Sequence, residues 1–181
     1  MTRPSLVVVL AEDERQQRLA RRYLYRLQYG HHDIRLVDLP SGRGSGVEWV
    51  LQRYAAEVQK FRSRAAKAGT ALIVVIDADT FHIDQRDRQL RQALADATFE
   101  IRRDHEAIIH LIPKRNVETW ILCLTGKQVD ETTDYSRERD VDRLIPTAAE
   151  TLFDWSRRNA TLPAHCVPSL EVAVPELRRL E

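Results

Sequence analysis

Apolar positions along the chain alternate between two rhythms. Leu6-Val7-Val8-Val9-Leu10 is an unbroken apolar run, the pattern of a strand covered on both faces. From Asp13 the period lengthens. Leu19, Tyr23, Leu24 and Leu27 share one helical face, Arg15, Arg18, Arg22 and Arg26 lie largely off it, and Gly30 is expected to end the helix. Residues 34–39 read as a second strand closed by Pro40. The turn Ser41-Gly42-Arg43-Gly44-Ser45-Gly46 then leads into a long helix striped by Val47, Val50, Leu51, Tyr54, Val58 and Phe61. A third strand over 71–76 ends in Asp77-Ala78-Asp79. A helix around Leu90, Ala93, Leu94 and Ala97 follows, then a fourth strand over 107–112 ending in Pro113-Lys114-Arg115, then a short helix over 117–124.

Strand followed by helix, four times over, predicts an α/β, Rossmann-like fold. Its sheet is mostly parallel and four-stranded, with right-handed crossovers and helices on both faces. We assign residues 1–126 to this domain. Residues 127–146 read as polar and irregular, with helices expected around 148–158 and 169–180. Leu152, Phe153, Trp155, Leu170, Val174, Leu177 and Leu180 are too many apolar groups to leave in water. The 127–181 extension is therefore expected to pack on the same domain, a partner interface being the other use for that surface.

Composition narrows the function classes. Twenty-eight Lys and Arg oppose 27 Asp and Glu, so bulk positive charge does not drive nucleic-acid binding, although 24 of the 28 are Arg, whose planar fork suits phosphate. Cys123 and Cys166 lie far apart and form no CxxC, which argues against a disulfide framework and a zinc ribbon. No apolar run approaches the roughly 18 residues a membrane span needs, and no leader pattern opens the chain, so a cytoplasmic protein is expected.

In an open parallel sheet, ligands bind at the carboxyl ends of the strands, near a switch in strand order. This sequence places Glu12, Asp13 and Glu14 after strand one, the glycine-rich turn with Arg43 after strand two, and Asp77 and Asp79 after strand three. Lys114 and Arg115 follow strand four, with Glu118 one turn into the next helix. Carboxylates held together are costly unless a cation neutralises them, and hard oxygen donors select Mg²⁺ or Mn²⁺. Asp77, Asp79, Glu12 and Glu118 are thus candidate metal ligands. The glycine turn lacks the Lys-Ser/Thr ending of a P-loop, which argues against an NTPase.

Glu12 and Asp77-Ala78-Asp79 resemble the acidic hallmark of the Toprim fold, a Glu ending the first strand and an Asp-x-Asp ending a later one. Residues 112–120, with Lys114, Arg115 and Glu118, look like later elements of its nuclease-type members. The resemblance spans about residues 5–125 and departs from the pattern in having no glycine directly after Glu12. It implies a Mg²⁺-dependent nuclease acting on DNA or RNA. Glu12 would be ligand or general base, Lys114 and Arg115 would stabilise the transferring phosphate, and Arg43, Gly44 and Ser45 would contact the backbone. It also implies an ATPase partner of the phage-defence kind, with a homo-oligomer as a further arrangement. Two alternatives stay open: a non-catalytic binding subunit on the same fold, and a response-regulator receiver. Val8-Val9-Leu10-Ala11-Glu12-Asp13-Glu14 and Lys114 resemble a receiver, but the 64-residue separation of Asp13 and Asp77 exceeds its usual spacing.

Overall fold

The computed structural model describes residues 3–40, 45–65 and 69–180. The elements run β1 (Leu6–Ala11), α1 (Glu14–Arg26), a 3₁₀ turn (His31–Asp33), β2 (Ile34–Leu36), α2 (Gly46–Ala65) and β3 (Thr70–Val75). They continue with α3 (Ile83–Asp96), β4 (Ile108–Leu111), α4 (Val117–Leu124), α5 (Val141–Ser156), α6 (Pro168–Leu177) and a closing 3₁₀ turn (Arg178–Leu180). The four strands form one all-parallel sheet in the order β2-β1-β3-β4. The α/β, Rossmann-like reading holds.

Strand alternation divides the core in two. Val7, Val9, Ala11, Ala71, Ile73 and Val75 face the layer of α1, α4, α5 and α6, whereas Val8, Leu10, Leu72, Val74 and Ile76 face α2 and α3. The chain moves outward from β1 to β2 through α1, then reverses direction through α2 and α3. With one crossover hand, reversal puts those helices on the opposite face. It also leaves a switch in strand order between β1 and β3.

Several boundaries differ from the sequence reading. Helix α1 ends at Arg26, before Gly30, because Gln28 takes a left-handed φ of 66° and Tyr29 N–H bonds back to the Leu24 carbonyl at 3.0 Å. Strand β2 stops at Leu36 rather than 39. Val37 still donates to the Val9 carbonyl at 2.9 Å, but its own carbonyl accepts from Gln17 Nε2 at 2.6 Å, which draws the chain out of the ladder. Helix α5 begins at Val141 rather than near 148, so residues 141–146 are helical. Pro146 has no N–H for the Asp142 carbonyl, and Arg18 Nη2 donates to that carbonyl instead, at 3.4 Å.

The C-terminal helices belong to the core. Leu152, Leu170, Val174, Leu177 and Leu180 are buried, and Phe153 and Trp155 pack against them half-buried. Buried hydroxyls tie the layer together: Tyr23 Oη donates to Ser156 Oγ at 3.0 Å, and Trp120 Nε1 donates to Ser169 Oγ at 2.6 Å. The outer edge of β4 is closed by an ion pair. Arg102 donates to the Ile108 carbonyl at 2.8 Å, Glu176 accepts from His110 N–H at 3.3 Å, and the two side chains bond each other. Those backbone groups would otherwise be free to pair with another strand. Among the described residues no helix is long and apolar enough to cross a membrane.

Candidate active site

The carboxyl ends of β1 and β3 flank the switch in strand order; Glu12 follows β1 directly, and Asp77 lies two residues after β3. Asp77 is buried, 8% exposed, and its Oδ1 has no hydrogen-bond partner among the described residues. The Asp77 backbone N–H donates to Glu12 Oε1 at 2.5 Å. Burial is the main force holding the Asp77 carboxyl well above the usual carboxylate range. The charges of Glu12, Asp13, Glu118 and Asp79 add to it in that order. Burial likewise pushes Glu12 up to about 7. The charges of Asp79 and Asp13 work the same way, and the Asp77 N–H and Arg86 work against them. The carboxylates that the sequence placed at this edge therefore sense one another electrostatically.

The surrounding helices start here. Asp13 caps α1, its Oδ1 accepting from Gln16 N–H at 2.9 Å, and Gln16 Oε1 in turn accepts from Glu12 N–H at 2.9 Å. Asn116 caps α4 by accepting from Thr119 N–H at 3.2 Å, which sets Glu118 in the first turn, 5% exposed. Gly46 opens α2 beside Glu12. A Cβ there would lie 2.8 Å from Glu12 Cβ and 3.2 Å from Oε2. The glycine that lets the backbone approach Glu12 thus comes from the β2–α2 turn rather than from the position after Glu12.

Asp79 departs from simple strand alternation. It has φ 53°, forms an isolated antiparallel bridge with Arg115 (φ 74°), and its side chain is half exposed while Asp77 is buried. Two facing non-glycine residues in the left-handed region store backbone strain, the greater part at Arg115, since Asp adopts this region more readily.

Two arginines that the sequence reading did not single out for the site hold the flanking carboxylates. Arg86, 2% exposed, donates to the Asp77 carbonyl at 2.8 Å, to Asp79 Oδ2 at 3.1 Å and to Gln89 at 2.7 Å. Arg15 bonds Glu118 Oε1 and Asp142 Oδ1, the latter at 3.2 Å, and the Glu118 bond is the main reason its pKa is raised. Arg86 had one legible signal, a cation in the first turn of the helix after Asp79. Arg15 had none, since it lies on the polar face of its own helix.

The cationic residues are partly committed. Lys114 Nζ reaches across to the Phe81 carbonyl, and Arg115 lies 3.8 Å from Asp134 with a buried Nε that has no partner among the described residues. Ser45 is exposed just ahead of α2, and Arg43 and Gly44 fall outside the described residues.

The donor chemistry fits a hard divalent cation, and the unpartnered Asp77 Oδ1 is a buried acceptor of the kind such an ion satisfies. Among the described residues, however, no three carboxylates are already gathered in a ligating group. Arg15 and Arg86 pair with Glu118 and Asp79. No protein-family model, curated protein or solved structure matches the chain.

Proposed function

We propose that this chain is a Mg²⁺- or Mn²⁺-dependent nuclease that hydrolyses phosphodiester bonds of DNA or RNA. The observation that carries the reading is Asp77. It is a buried carboxylate with an oxygen that has no partner among the described residues, set at the switch in strand order and sensing the charges of Glu12, Asp13, Asp79 and Glu118. The strained pair Asp79 and Arg115 beside it adds support, since such backbone persists where geometry serves function.

Asp77 and Asp79 would hold the cation, with Glu12 and Glu118 as further ligands, and the bound metal would neutralise the carboxylates and polarise the phosphate. Glu12, anchored through the Asp77 N–H, would serve as a ligand or as general base on the attacking water. Lys114, on the Phe81 carbonyl, and Arg115, bridged to Asp79, would supply positive charge to the developing phosphate charge. Arg43, Gly44 and Ser45 complete the reading as contacts to the nucleic-acid backbone, and an ATPase subunit is its partner protein.

The test is Asp77→Asn in the purified chain. Metal-dependent cleavage of labelled DNA and RNA should vanish while the circular dichroism spectrum and cooperative melting persist. Undiminished cleavage by the variant would sink the assignment.

One observation favours a second reading. Arg15 and Arg86 already neutralise Glu118 and Asp79, as a purely structural clamp would. A non-catalytic binding subunit of this kind would take up no Mn²⁺ in calorimetric titration, whereas the nuclease binds it and Asp77→Asn does not.

A further inference from the structure

Three large apolar residues are exposed among the described residues, Phe81, Ile101 and Val172, and Phe81 is the one beside the carboxylates. It stands two residues after Asp79 in the loop between β3 and α3, 44% exposed. A single exposed aromatic is unremarkable in itself. This one sits on a backbone fixed on both sides and under a buried cation. Its N–H donates to the Ala78 carbonyl at 2.9 Å, its carbonyl accepts from Lys114, and the Arg86 guanidinium carbon sits 5.4 Å from its ring centroid. Arg86 is itself fixed by Asp77, Asp79 and Gln89. The ring is thus backed by an immobilised cation and partly open to solvent, while Lys114 holds the Phe81 carbonyl and Arg115 bridges Asp79, two residues earlier.

A fixed, half-open aromatic with cations around it matches the chemistry of base stacking. Any nucleobase offers a π-face, and neighbouring Lys and Arg suit the phosphates on either side. A base inside a duplex is already stacked and would have to be extruded first, at a cost of a few kcal/mol. Resting on the nuclease reading, we propose that Phe81 is a stacking platform for an unpaired base next to the scissile phosphate. The substrate class is then single-stranded or locally unpaired nucleic acid.

The experiment is anisotropy titration of the full chain, at one fixed salt concentration, with fluorescent oligothymidylate and with a duplex of the same length. The wild-type chain should bind the single strand more tightly. Phe81→Ala should weaken single-strand binding about tenfold or more and leave duplex binding unchanged, and Phe81→Trp should retain it. The half-exposed side chain makes Phe81→Ala foldable, which an unchanged melting temperature verifies. Equal single-strand affinity of wild type and Phe81→Ala overturns the platform and leaves the nuclease reading standing. Failure of the wild-type chain to bind either nucleic acid overturns the nuclease reading and the platform with it.

Discussion

The amide of Asp77 donates to Glu12 Oε1 at 2.5 Å, so the ends of β3 and β1 are joined by a carboxylate that burial disfavours in its charged form. That contact fixes where Glu12 points, and Gly46 leaves open beside it the space that any Cβ would take.

Glu12 makes the fold pH-sensitive. Its folded pKa lies near 7, above the ordinary 4.5, so it favours the folded state at low pH. That contribution is lost as pH rises through about 7, a loss on the order of 3 kcal/mol. Asp77, also raised, acts in the same direction. The melting temperature should fall between pH 5 and pH 8, and Glu12→Gln should flatten the fall while keeping an oxygen for the Asp77 N–H. A variant with the wild-type slope would contradict this.

Gly46→Ala should cost about 1–3 kcal/mol, because its Cβ would meet Glu12 Cβ at 2.8 Å and the Glu12 carbonyl at 3.2 Å. Urea unfolding measures the loss, and an unshifted midpoint would show that α2 can retreat from β1.

A buried chain of polar groups sets the acid limit of the other face. Asp87 accepts from His110 Nδ1 at 2.9 Å, which leaves Nε2 of the neutral ring to accept from the Tyr54 hydroxyl at 2.8 Å. The His110 bond is the main cause of the fall of Asp87 to about 2. Its stabilisation is present above the ordinary 3.8 and lost as pH drops toward 2. His110, buried and lowered from its ordinary 6.5, resists the proton that acid would force on it, so its contribution starts to be lost below pH 6.5, ahead of the Asp87 limb. Asp87→Ala should destabilise at pH 7 by on the order of 1 kcal/mol and converge on wild type near pH 2. Long-range ¹H–¹⁵N correlation should show His110 as the neutral Nδ1–H tautomer at pH 6.

Ending the chain after residue 140 removes α5 and α6 and bares Leu19, Tyr23, Leu24 and Trp120. The fragment should lose solubility and cooperative melting. A soluble, cooperatively folded fragment would show that the sheet and α1–α4 suffice.

Strand and helix rhythm alone determined the four-stranded parallel architecture. Apolar runs of β-branched residues can be satisfied only between two helical layers, and those layers are written into the stripes of α1 and α2. The same rhythm put Glu12, Asp77 and Glu118 at one edge, because residues that follow parallel strands share an end of the sheet. Local boundaries were less legible. The end of β2 depends on Gln17 taking the Val37 carbonyl, and the start of α5 depends on Arg18 reaching the carbonyl that Pro146 leaves free. Both partners lie on α1, far away in sequence. Tertiary structure alone decided that Asp79 turns into a left-handed bridge with Arg115, that Gly46 supplies the close approach to Glu12, and that Arg15 and Arg86 clamp Glu118 and Asp79. The reason is physical. Periodicity encodes which face of an element is buried, whereas a counter-ion or a close backbone contact is fixed by the packing of elements that periodicity leaves unrelated.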